Sequence, residues 1–182
     1  MTEAIYDLSR EETKHGIVYF FKSKGKADFI KAIQYDYVLD YNYKKVYNFG
    51  FGDYDSINHA IDDSVGTENG DVYKVFNTVL STIPMFFESF PDAVISVRGS
   101  DSSSSFIESC KLNCKRNCDD DVCKKSNRRI NIYTGYVNKR FEELIKDFTF
   151  YGGIELDDTG PLVEDYIPGK KYNSVMVVKN NM

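Results

Sequence analysis

Apolar positions fall in two rhythms along the chain. Ile17-Val-Tyr-Phe-Phe21 is β-branched and aromatic, which predicts a strand. Ser23 to Lys26 reads as a turn, and the stretch from Phe29 to Tyr37 alternates from Ile33 onward, so the two segments predict an antiparallel hairpin. Val46 to Phe51 predicts a third strand, after a polar connection over 41–45. The rhythm then changes. Val72, Val75, Phe76, Val79, Leu80, Ile83, Phe86, Phe87 and Phe90 recur at helical spacing and predict one long helix with a broad buried face. Pro84 lacks an N–H for the helical ladder and is expected to kink that helix or end its first section.

Ala93 to Val97 predicts a short buried strand that runs into a flexible polar loop, Arg98 to Ser105. Ser104 or Ser105 is expected to cap a short helix carrying Phe106, Ile107, Cys110 and Cys114. A second major helix is predicted from Arg129 to about Asp147. Strands follow at 148–154 and 175–179, with an acidic loop over 155–172. Residues 1–15 are polar and read as loose or edge-like. The order predicts an α+β fold in two layers, a mainly antiparallel sheet with two long helices on one face and a Cys-rich helical insertion. A length of 182 residues fits a single domain, 1–182, with residues 101–127 inserted in it.

Composition narrows the function classes. The 42% hydrophobic and 15% aromatic content is that of a folded protein. A net charge of −5 argues against non-specific coating of nucleic acid, which needs a basic surface. No apolar run reaches the ~20 residues that span a bilayer, and the start of the chain lacks a signal peptide's basic and apolar regions. The expected compartment is the cytoplasm, with no membrane association. Thiols stay reduced there.

All four cysteines lie in one stretch, Cys110, Cys114, Cys118 and Cys123, with the spacing C-x3-C-x3-C-x4-C. Residues four apart share a helix face. Four thiolates can close a tetrahedral zinc site, and neighbouring Lys111, Lys115, Arg116, Lys124 and Lys125 would offset its negative charge. Two disulfides, free thiols on a helix face and an iron–sulfur cluster are the alternatives. Around this stretch the charge balance reverses: residues 98–129 hold eight Lys/Arg against five Asp/Glu. A strand ending in Arg98-Gly-Ser100, with Arg129 opening a later helix, is a candidate phosphate cradle made of Arg98, Ser100 and Arg129. Nucleotidyltransferases start in a similar way, yet no Asp-x-Asp pair follows to hold magnesium. A solvated basic face is the simpler reading. Asp53, Asp55, Asp62 and Asp63 are candidate divalent-cation ligands, but they miss the EF-hand spacing and suit turn formation better. His15 and His59 lie in no nucleophile pattern.

The pieces Tyr47-Asn-Phe-Gly-Phe-Gly-Asp53, Ile61-Asp-Asp63, Asn69-Gly-Asp71, Arg98-Gly-Ser100, Arg129-Ile-Asn-Ile-Tyr133 and Phe150-Tyr-Gly152 occur in order. Together, over roughly residues 17–180, they resemble a family of short bacterial proteins, common in Bacteroidetes, known only as a domain of unknown function. The resemblance implies a shared scaffold with the cysteine stretch inserted between the Gly99-Ser100 turn and the Arg129 helix. It implies no catalytic mechanism. Two functional expectations follow. The first is a non-catalytic binding module of a bacterial regulatory or defence system, offering a zinc-ordered basic insertion to a protein or a nucleic acid. The second is a small enzyme acting on a phosphate-bearing substrate, with Asp53 or Asp63 handling a metal or a proton.

Overall fold

A computed structural model describes residues 4–62, 69–114, 118, 123–156 and 160–180. Among them are nine strands and four α-helices, a mixed α+β architecture whose strand pairings are mostly antiparallel. The chain divides into two compact units, residues 1–95 and 96–182.

The first unit is a meander backed by one helix. Strands β1 (Ser9–Glu12), β2 (Gly16–Ser23), β3 (Phe29–Tyr41) and β4 (Lys44–Asp55) pair antiparallel in sequence order, and β5 (Ala60–Asp62) adds to β4. The register sets Ile17 opposite Tyr35 and Tyr35 opposite Phe49, so one face of the sheet carries Ile17, Tyr19, Phe21, Ile33, Tyr35 and Phe49. All six are buried. Helix α1 (Val72–Ser89) supplies the matching stripe of Val75, Thr78, Val79, Thr82, Phe86 and Phe87. The Phe86 ring stacks on Tyr35 at 4.5 Å, meets Tyr47 edge-on at 5.1 Å and touches Phe90 at 5.2 Å.

Helix α1 departs from its sequence pattern in three ways. It runs unbroken through Pro84. That proline is exposed and withholds only the one N–H that the Leu80 carbonyl would have accepted, while buried Phe86 and Phe87 anchor the turn beyond it. Val72, expected inside, is exposed. Two threonines take buried places that apolar spacing does not reveal. Thr82 donates to the Val79 carbonyl at 2.6 Å and pairs with the Tyr35 hydroxyl at 2.8 Å, and Thr78 donates to the Lys74 carbonyl at 2.7 Å. Burial pushes the Tyr35 hydroxyl pKa up, so it stays neutral and hydrogen-bonded.

The N-terminal segment is tied down rather than loose. Tyr6 stacks on Phe21 at 5.4 Å, receives Lys74 over its ring at 4.0 Å and donates to Asp71 at 2.7 Å. Ser23, fully buried, donates to the same carboxylate at 2.6 Å, and Asn69 donates to Ser23 at 3.0 Å. Burial works against ionisation of Asp71, but the bonds from Ser23 and Tyr6, its own backbone and the charge of Lys31 hold its pKa below the usual carboxylate range. The connection expected over 41–45 is a two-residue turn, Asn42-Tyr43, with both residues at positive φ, as a type I′ hairpin requires.

Strand β6 (Val94–Arg98) follows α1. In the second unit, β7 (Phe148–Leu156) lies between β8 (Gly160–Asp165) and β9 (Ser174–Lys179), antiparallel to both. Strand β8 occupies part of the stretch read as an acidic loop. The glycine pair in β7 does not break the strand. The Tyr172 ring lies against Gly152 so closely that a Cβ there would sit 2.1 Å from it. Tyr172 in turn packs on Tyr166, whose hydroxyl donates to Asn138 at 2.7 Å. The helix expected from Arg129 to Asp147 is two helices, α3 (Arg128–Lys139) and α4 (Phe141–Leu144), separated at Arg140.

Candidate metal centre and the turn beside it

The stretch read as a flexible loop is ordered. Residues Ser100–Ser102 form a 3-10 turn, and Asp101 within it is only 6% exposed. Helix α2 (Ser104–Asn113) starts one residue earlier than expected of its cap: Ser103, not Ser104 or Ser105, accepts from the Phe106 N–H at 3.1 Å. None of the α2 side chains described is buried. Phe106, Ile107 and Cys110 are half-buried, so this helix has only a thin apolar contact.

The cysteines converge at its end. Cys110 is on the last turns of α2, Cys114 is the residue that follows it, and Cys118 and Cys123 lie on the return toward α3. Cys123 donates to Cys110 Sγ at 3.2 Å, and the Cys114 and Cys118 sulfurs stand 3.4 Å apart. The four sulfurs therefore stand in two contacting pairs, and none is in a disulfide.

A backbone amide points at one of these pairs. The Lys124 N–H donates to Cys118 Sγ at 3.3 Å, and the Ser126 amide donates to the Cys123 carbonyl at 3.0 Å. The thiols respond unequally. Hydrogen bonding to Cys123, burial and the nearness of Cys114 push Cys110 up to about 12. The contact with Cys110, with the nearby backbone of Lys125 and Ser126, lowers Cys123. Cys118 is raised: the Lys124 amide favours its thiolate, but Cys114, burial and the other sulfurs outweigh it.

Four closely spaced cysteines can bind a metal. The donor set is all soft sulfur, which suits zinc or iron rather than a hard cation. Zn–S bonds of about 2.3 Å place the sulfurs of a tetrahedron about 3.8 Å apart. Both sulfur pairs are tighter than that, and among the described residues no group of three or more His, Cys, Asp or Glu has the spacing of a metal site. Opening each of the two sulfur pairs by about half an ångström brings it to the edge length of a zinc tetrahedron, a smaller change than the closure to about 2.05 Å that a disulfide demands.

The candidate phosphate ligands are distributed as follows. Arg98 bonds Glu155 at 2.6 Å, with both side chains about half exposed. Ser100 opens the 3-10 turn. The Arg129 amide, at the start of α3, donates to Asp101 Oδ2 at 3.2 Å, and the Asn127 amide donates to the Asp101 carbonyl at 3.1 Å. Asp101 thus serves as the acidic cap of α3, standing where a bound anion would meet the helix dipole. Its other oxygen, Oδ1, and Ser102 Oγ are buried with no hydrogen-bond partner. Both lie against Gly99, where a Cβ would come within 2.7 and 2.8 Å of them. Only glycine leaves room for this carboxylate to reach α3. No sequence signal singled out Asp101 except its place after Gly99-Ser100.

The acidic candidates in the first unit act structurally. Asp55 accepts from the Ile57 amide at 2.8 Å and from the Asn58 amide at 3.3 Å, an Asx turn. Asp53 pairs with Lys31, a lysine only 6% exposed that sequence reading passed over. Asp62 lies opposite Asp53 in the β4–β5 ladder. Asp63 lies outside the described residues. His59 Nδ1 is 3.0 Å from the Tyr54 hydroxyl. Among the described residues no helix is long and apolar enough to cross a membrane.

No curated protein and no solved structure matches the chain. One family does, over residues 2–106, which takes in the whole first unit, the Arg98-Gly99-Ser100 turn and the start of α2, and stops short of Cys110. The matched part is shorter at its C-terminal end than the resemblance over residues 17–180 implied, and the cysteine cluster lies beyond it. The chain therefore belongs to the family of unknown function DUF6934.

Proposed function

We propose that this protein is a non-catalytic binding module in which Cys110, Cys114, Cys118 and Cys123 hold one zinc ion and the segment so ordered meets a protein partner. The gathering of all four cysteines into two close sulfur pairs, with the Lys124 amide aimed at Cys118, is the observation that carries this reading. Zinc bound by four thiolates has no open position, so its contribution is a crosslink rather than a reaction. The Lys124 amide and the charge of Lys111, next to Cys110 in sequence, help to balance the thiolates. Zinc supplies what α2 lacks, since that helix buries none of its described side chains. Reduced thiols fit a cytoplasmic setting.

The neighbouring groups support a binding role over catalysis. Arg98 is engaged by Glu155, and the α3 N-terminus is engaged by Asp101. Leu112, 85% exposed beside Lys111, is the apolar contact the ordered segment offers outward. Metal analysis of protein purified under reducing conditions is expected to give about one zinc per chain. A partner captured from the native host is expected to be lost on Cys110→Ser and on Leu112→Asp. Folded protein free of metal, with four titratable thiols, would overturn the reading.

A further inference from the structure

The first unit carries an open groove that none of the structural roles above uses. The β1–β2 turn, the β3–β4 hairpin and the end of α1 frame a cavity of about 490 Å³. A second hollow of about 310 Å³ continues it toward the hairpin tip and shares Lys45, Tyr47, Ser89 and Phe90 with it. The volume is that of a small-molecule site, on the order of 300–1,000 Å³.

Its charge is opposite to that of the chain as a whole. Arg10, Lys14, Lys44 and Lys45 line it, with His15, against Glu12 and Asp92. Arg10 is already bonded to Glu12 at 3.0 Å and to Ser89 at 3.1 Å. Among the described residues, Lys14, Lys44 and Lys45 take part in no ion pair. Three cations thus gather at one groove of a protein whose net charge is −5. The walls are aromatic. Tyr47 and Phe90 pack at 4.9 Å, and Lys45 stands 5.5 Å from the centre of the Tyr37 ring.

Tyr43 is the decisive residue. It lines the outer hollow, its side chain is fully exposed and its backbone φ is +62°. That is the second central position of a type I′ turn, where glycine is the relaxed choice and Asn-Gly the commonest pair. Asn42 suits its place and Tyr43 does not. An aromatic ring held in water on a strained backbone does nothing for folding.

We propose that this groove binds a nucleotide, its phosphate between Lys14 and Lys45 and its base stacked on Tyr43. Phosphate calls for unpaired cations, and a base calls for an exposed ring. The ligand is either a free nucleotide or one unit of a single strand, because both offer the same chemistry.

Titration calorimetry of the full chain with AMP, adenosine, inorganic phosphate and a short oligoadenylate tests this. AMP is expected to bind at least about tenfold tighter than adenosine or phosphate, and added salt weakens it. The double variant Lys14→Glu/Lys45→Glu loses AMP by tenfold or more. Tyr43→Gly raises the melting temperature yet weakens AMP and adenosine several-fold and leaves phosphate unchanged. That opposition separates a ligand role from a structural one. An oligoadenylate that binds tighter than AMP, with the same residue dependence, identifies the single strand as the source, and equal binding identifies the free nucleotide. No saturable AMP binding at ~1 mM, AMP no tighter than inorganic phosphate, or binding indifferent to both variants overturns the proposal.

Discussion

Helices α1 and α2 are held by different means. Helix α1 lays a stripe of aromatic and β-branched residues on a sheet, and Phe86 alone meets three other rings within 5.2 Å. Helix α2 has a Ser103 cap at one end, a pair of cysteines at the other and no buried side chain described between them. The first is ordered by shape and area, the second by a few directed bonds. Area forgives single changes at its margin and punishes them at its centre. Directed bonds are lost one at a time, and each loss depends on solution chemistry such as reductant, chelator or pH.

Four measurements test that contrast, from the largest effect to the smallest. Phe86→Ala empties the centre of the α1 packing, and urea unfolding is expected to show a loss of about 3–5 kcal/mol. A loss below about 1 kcal/mol would mean that the ring cluster is looser than its distances imply. Cys114→Ser, by contrast, is expected to act through metal. Zinc affinity in a competition assay falls by more than the roughly 10–100-fold typical of losing a supporting group, and proteolysis within residues 103–128 accelerates to match wild type treated with a chelator. Unchanged zinc affinity would remove Cys114 from the ligand set. Ser103→Ala deletes the α2 cap and is expected to cost about 1 kcal/mol of local stability, read as faster amide exchange at Phe106 and Ile107. An unaltered rate there would show that the cap is redundant.

The smallest effect concerns Asp71. Its carboxyl is depressed in the folded protein, so the stability it contributes is present above the ordinary carboxyl pKa and is lost as pH falls through the folded value. The loss is therefore expected below about pH 4. Asp71→Asn should flatten the acid limb of a stability–pH profile while leaving the Cys110–Cys123 segment untouched. An identical acid limb in the variant would show that the Tyr6 and Ser23 bonds are not protonation-linked.

What the sequence made legible divides along the same line. The strands β2 to β4 and the face of α1 were readable because area-driven elements repeat, and Ile17–Phe21 or Val75–Phe87 declare their period. Thr78 and Thr82 escaped because their hydroxyls satisfy carbonyls of their own helix, so they are polar in type and apolar in use. Pro84 misled because its effect depends on which way it faces, a property of the packed helix. The cysteine spacing was readable as a candidate metal site, but the pairing of 110 with 123 and 114 with 118 required the chain's return path. Asp101 and Lys31 were illegible for a related reason. Each bonds a residue more than twenty positions away, Asp101 to Arg129 and Lys31 to Asp53, and no local pattern records such a meeting.

The short strand β1 has a further consequence. Its four residues, Ser9, Arg10, Glu11 and Glu12, are all exposed, and it closes the outer side of β2 opposite Val18, Tyr19 and Phe20. Without it, β2 would present an open row of backbone donors and acceptors on one of the most apolar segments of the chain. Mixed charge on so brief an edge is a poor template for another molecule's strand. Four residues of little energetic weight thus guard the protein against self-association, and replacing Arg10, Glu11 and Glu12 together by valine, which leaves Tyr6 in place, is expected to raise the fraction of β-rich aggregate seen by sedimentation velocity.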